Sequence, residues 1–102
     1  MKRSIYILLF LLTPTTFAMS NSPEGTVTAM TVGSTYARVA TTSMTNAEDC
    51  SSNVYFRLSY VDDPEGKMFS AILAAKAAKQ KIFFQLAGCT GNYPRITHIY
   101  LP

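Results

Sequence analysis

Residues 54–88 read VYFRLSYVDDPEGKMFSAILAAKAAKQKIFFQLAG, and the periodicity changes twice within them. Over 54–61 the chain alternates. Val54, Phe56, Leu58 and Tyr60 share one side and Tyr55, Arg57, Ser59 and Val61 the other, as in a strand with one buried face. The first set is the expected core face. Asp62-Asp63-Pro64-Glu65-Gly66 ends that strand. Asp63 caps a helix with Pro64 at its first position, or the segment is a free-standing turn and the helix starts near Lys67. Residues 67–80 are alanine-rich and helical by propensity. At 100° per residue Met68, Phe69, Ile72 and Leu73 cluster on one side. Ala71, Ala74, Ala75 and Ala78 form a small-residue flank that lets another helix approach closely. From residue 82 alternation returns, with Ile82, Phe84 and Leu86 against Phe83 and Gln85. Phe83 has no place in a single-layer core and is expected in a second packed face or an interface.

Working outward, TVTAMTV (26–32) and TYARVATTS (35–43) are two β-branched strands flanking a Gly33-Ser34 turn. In the second of them Ala37, Val39 and Thr41 oppose Tyr36, Arg38 and Ala40. Asn21–Gly25 forms a disordered or turn-like leader, and residues 44–53 a polar loop carrying Cys50. After Cys89, CTGN is a turn, Pro94 holds Tyr93 in extended geometry, and RITHIYL (95–101) is the closing strand. The chain contains no evident internal repeat. Strand, strand, strand, helix, strand, strand is the order of the five-stranded oligosaccharide/oligonucleotide-binding barrel, a mainly β fold with one helix between strands 3 and 4. An open antiparallel sheet with the helix across one face buries the same residues and is the alternative.

The first 18 residues have the layout of a signal peptide: basic Lys2 and Arg3, an apolar run from Ile5 to Leu12, and small-residue spacing before a cut after Ala18. The run is too short to cross a bilayer, which takes roughly 20 residues. Residues 19–102 are then a single exported domain, secreted or periplasmic, with no membrane insertion after cleavage. Two of the nine basic residues fall in the leader and none of the six acidic ones, so the formal charge drops from +3 to +1. That balance gives no reason to expect nucleic acid as a partner. Export also makes Cys50 and Cys89 a disulfide. The loop they close is worth roughly 4 kcal/mol by chain entropy.

Catalysis finds little material. His98 is the single histidine and sits in the closing strand. No nucleophile pair, paired-carboxylate signature or phosphate loop is present, and Asp62, Asp63 and Glu65 lie in a turn. A metal would need several converging Cys, His or acidic ligands. The expectation is a non-enzyme without metal or cofactor. Binding has more: Tyr36, Tyr55, Tyr60, Tyr93 and Tyr100 offer rigid surface with a hydroxyl tip, suited to sugars and protein interfaces. Tyr55 and Arg57 point away from the expected core, and Tyr93 and Arg95 open the closing strand. These four are the ligand-binding candidates.

The block GKMFSAILAAKAAKQKIFFQLAGC with the later YPRI resembles small exported bacterial proteins. It is more distantly similar to the B subunits of pentameric A/B-type toxins of the subtilase cytotoxin kind. The resemblance covers residues 66–99 in pattern and most of residues 19–102 in layout. It implies a homo-oligomer, a pentameric ring, with the helix lining a central pore. Ala71, Ala74, Ala75, Ala78 and Phe83 would then lie at the subunit interface. It also implies a glycan or host-surface receptor as ligand and a catalytic A subunit as companion. No sugar-binding serine motif carries over. Two functions follow for comparison: a non-catalytic glycan- or receptor-binding subunit, and an exported structural or accessory protein, or an inhibitor, that binds another protein without glycan binding.

Overall fold

The computed structural model describes residues 19–102; the signal-peptide expectation falls on residues 1–18 and lies outside them. Six strands and one helix follow in order: β1 (Met19–Asn21), β2 (Val27–Val32), β3 (Tyr36–Thr41), β4 (Phe56–Ser59), α1 (Lys67–Ala78), β5 (Phe83–Thr90) and β6 (Tyr93–Tyr100). They form one sheet in the order β1-β5-β6-β4-β3-β2. Neighbours run antiparallel except β4 and β6, which are parallel. The parallel pairing needs a crossover, and the helix-containing segment between β4 and β5 begins it.

The expected closed barrel of five strands is corrected to an open sheet of six. The extra strand arises because the Asn21–Gly25 leader is not a loose tail. β1 pairs with β5, Ser22 is buried, and its hydroxyl accepts the Phe84 N–H at 2.9 Å. Since β1 and β2 are consecutive in the chain yet at opposite ends of the strand order, the sheet must curl. Gly25, just before β2, forms a single bridge to Ile82, just before β5, so the start of edge strand β2 lies close to β5.

The core holds Val27, Val39, Phe56, Leu58, Ile72, Ala75, Ile82, Phe84, Leu86 and Ile96. Period-two alternation from β3, β4, β5 and β6 meets the helix here, and Phe56 and Phe84 pack edge to face at 5.4 Å. The central strand is shorter than its alternation suggests. Val54 is 63% exposed, and Tyr60 enters a 3-10 turn over Tyr60–Asp62, its ring edge-on to Phe69. The helix is also rotated relative to the expected face: Ile72 and Ala75 are buried, whereas Leu73 is half exposed. Alanine allows this, because Ala75 lets the helix sit close to the sheet where a larger residue would hold it away.

Asp63 resolves the two helix-start alternatives in a mixed form. The helix begins at Lys67, with Gly66 in the left-handed region (φ 72) as its N-cap. Asp63 reaches in from the turn. Its two carboxylate oxygens accept the N–H groups of Met68 at 3.0 Å and Phe69 at 2.9 Å. These are among the orphan donors of the first turn, and negative charge there also suits the helix dipole.

The expected disulfide is present. Cys50 and Cys89 are bonded across 39 residues of sequence with Cα atoms 5.7 Å apart. Beside it Glu48 accepts the Gly88 N–H at 2.7 Å and the Ser20 hydroxyl. The loop before β4 is thus tied to both β5 and β1. No helix among the described residues is long and apolar enough to cross a membrane.

Candidate functional site

Strand alternation that buries Ala37 and Val39, Phe56 and Leu58, and Pro94 and Ile96 must turn their neighbours outward. The neighbours are the same in each case. Tyr36-Ala37-Arg38, Tyr55-Phe56-Arg57 and Tyr93-Pro94-Arg95 are three Tyr-x-Arg tripeptides on adjacent strands of the sheet or at their starts. Register then aligns them. Arg38 is the Cα partner of Arg57, and Arg57 is the partner of Arg95. Thr31 of β2 pairs with Arg38 and extends the row by one strand.

Because β3 is antiparallel to β4 whereas β6 is parallel to it, the tyrosines fall on both sides of the arginine row. Tyr55 and Tyr93 lie together on one side, edge to face at 6.2 Å, and Tyr36 lies on the other. Each arginine is drawn to a different partner. Arg38 donates from Nε to the Thr31 hydroxyl at 3.1 Å and from a terminal nitrogen to the Tyr93 hydroxyl at 3.3 Å. Its guanidinium carbon sits 5.1 Å from the Tyr55 ring centre and 5.8 Å from that of Tyr93. The hydrogen bond to Tyr93 raises the Arg38 pKa further above its already high ordinary value. Arg57 lies 3.8 Å over the Tyr36 ring. Arg95 forms a two-point pair with Asp62 at 2.9 and 3.1 Å. Hydrogen bonding from Arg95 lowers the Asp62 pKa, and the bond raises that of Arg95 in return.

Arg57 is the unsatisfied member. Its Nε is buried with no hydrogen-bond partner among the described residues. Its guanidinium also fills the space above Gly91 in the β5–β6 turn, where a Cβ would come within 2.5 Å of a terminal nitrogen. Like charges placed opposite across a ladder are destabilising. The cation–π contacts of Arg38 with Tyr55 and Tyr93 and of Arg57 with Tyr36 offset part of that. Two clefts border the face: one of about 280 Å³ along Thr31–Tyr36 and Arg38, and one of about 450 Å³ touching Arg95, Thr97, Cys89 and Met19.

The four candidates Tyr55, Arg57, Tyr93 and Arg95 therefore share one face. Tyr36 and Arg38 belong to it too and were missed, although the thrice-repeated Tyr-x-Arg spacing was the signal that could have found them. The alanine set does not stay together. Ala75 is buried in this chain's own core, Ala74 and Ala78 are exposed, and Ala71 is half-buried. Phe83 is half-buried and stacks on Tyr100 at 4.7 Å with ring planes 3° apart, beyond the arginine row. His98 is exposed in the same strand as Tyr100. Among the described residues no group of three or more His, Cys, Asp or Glu side chains could hold a metal ion. No family model, curated protein or solved structure matches the chain.

Proposed function

We propose that this chain is an exported, non-catalytic binding subunit that recognises a glycan or glycosylated receptor through the outward face of β3, β4 and β6. The observation that carries this is the arginine row Arg38–Arg57–Arg95 set between Tyr36 on one side and Tyr55 and Tyr93 on the other. Arginine forks and tyrosine hydroxyls supply directional donors, and the rings supply flat apolar surface, which is the combination that holds a sugar in one orientation. The face sits on paired strands, and the Cys50–Cys89 bond ties the loop before β4 to β5 beside it, so its backbone is held in place before binding. The order of strands and helix and the parallel β4–β6 pair support a layout of the oligosaccharide/oligonucleotide-binding type, with an open sheet in place of a closed barrel.

Ring formation is part of the same proposal. Ala71, Ala74 and Ala78, together with exposed Leu73, are helix residues available to meet a second copy. A glycan-array screen of oxidised protein, with native mass measurement in parallel, tests both parts. Retention of defined glycans by an oligomer supports the proposal. A monomer at tens of micromolar that retains none, yet captures a protein partner, points instead to an accessory protein.

A further inference from the structure

We infer that the arginine row selects a ligand carrying a tetrahedral oxyanion, a sulfate or phosphate ester, seated between Arg38 and Arg57; this rests on the binding-face proposal above. Arg38 and Arg57 are Cα partners across β3 and β4, where Cβ atoms lie about 4.5–5.5 Å apart. Their guanidinium groups lean apart, Arg38 over Tyr55 and Tyr93 and Arg57 over Tyr36, so a shared anion draws both heads inward. Neither is neutralised among the described residues, whose ion pairs are Lys67–Glu65 and Arg95–Asp62. Of the five donors of a guanidinium, Arg38 uses Nε and one terminal nitrogen, and Arg57 has no acceptor at all among the described residues. An anion between them removes their repulsion and receives their free donors.

Both oxygens of Asp62 are occupied by one guanidinium, that of Arg95. A planar carboxylate presents one bidentate edge, whereas a sulfate or phosphate ester has three terminal oxygens and offers an edge to each of two forks. The hydroxyl-bearing cleft of about 280 Å³ next to Arg38 gives the rest of such a ligand somewhere to lie. A single-stranded nucleic acid also carries tetrahedral phosphates, but it binds by stacking bases on free aromatic faces. Here Arg57 covers Tyr36, and Arg38 leans over Tyr55 and Tyr93.

The test displays galactose, galacturonic acid, galactose 3-sulfate and galactose 3-phosphate at equal density and measures binding of the oxidised protein. The sulfate or phosphate ester, or both, should be bound about tenfold more tightly than the neutral and carboxylated sugars, as one charge-assisted pair implies. R38Q and R57Q should each reduce that binding to the neutral level. R57K, which keeps the charge and loses the fork, should lose most of the preference, and K81Q none of it. Equal binding of all four sugars, or preference for galacturonic acid, overturns the inference while leaving a sugar-binding face in place. Tighter binding of an oligothymidylate than of either ester overturns it as well. If no sugar binds, the glycan proposal fails separately, and sodium sulfate against sodium chloride at matched ionic strength decides the anion site. A shift of the Arg57 Nε–H resonance that disappears in R38Q upholds the site, and an unmoved resonance overturns it.

Discussion

Replacing Asp63, a buried carboxylate, by alanine should destabilise this domain markedly. The carboxylate is buried and accepts two backbone N–H groups of the first helical turn at 3.0 and 2.9 Å. Alanine leaves both donors without an acceptor in a place water reaches poorly. Loss of an N-cap costs about 0.5–2 kcal/mol, and a charge-assisted hydrogen bond about 1.5–3. The two bonds share one carboxylate, so a combined loss of about 2–3 kcal/mol is expected. At about 4–8 °C per kcal/mol for a domain of this size, the midpoint should fall by about 10–20 °C. Asp63→Asn keeps one acceptor and should lose about half as much. Urea denaturation of oxidised protein, followed by circular dichroism, reads both variants. A loss below about 0.5 kcal/mol for Asp63→Ala would show that the helix start is held by packing of Met68 and Phe69 rather than by the cap.

Ile72→Ala and Leu73→Ala test the rotation of the helix. The buried isoleucine should cost about 2–5 kcal/mol, and the half-exposed leucine below about 1; equal costs would place the helix face wrongly. Removing the Cys50–Cys89 bond by paired serine substitution should lower stability by about 4 kcal/mol, read as a shift in urea midpoint, and a loss under about 1 would mean that Glu48 and the strand pairing hold the loop unaided. Arg95 holds the Asp62 pKa below its ordinary value. Asp62 thus adds stability that is present above its unfolded pKa of about 3.9 and is lost as pH falls through the folded value. Both partners are solvent-exposed in part, so the effect stays below about 1 kcal/mol. Asp62→Asn should flatten the stability profile below about pH 4, and an unchanged acid limb would mean that the pair does not persist in solution.

Much of the layout is legible in residues 54–88 because the two periodicities there are clean: Ile82, Phe84 and Leu86 are all buried, as alternation requires. The Cys50–Cys89 bond was legible from the presence of two cysteines and the expectation of export. What failed were features set by distant pairing. The leader at Asn21–Gly25 looks like a turn locally, and only β5 alongside makes it ordered. Val54 fits the alternating pattern yet is exposed, since β4 pairs with β3 only from Phe56 to Ser59. Leu73 is more apolar than Ala75, but packing distance chose the smaller residue for the sheet. The candidate site was half legible. Tyr55 and Arg57 followed from strand alternation and Tyr93 and Arg95 from their place at the start of the closing strand, while Arg38 needed the register that sets it opposite Arg57.

The most direct measurement is a nitrogen-15 NMR titration of the oxidised protein with a glycan that it retains, following arginine side-chain and backbone resonances together. Binding through the tyrosine-flanked face should move the signals of Arg38 and Arg57 first, along with the backbone of β3 and β4, and leave Phe83 and Tyr100 unmoved. Perturbation confined to the Phe83–Tyr100 end or to the exposed side of the helix, with both arginine signals still, would contradict it.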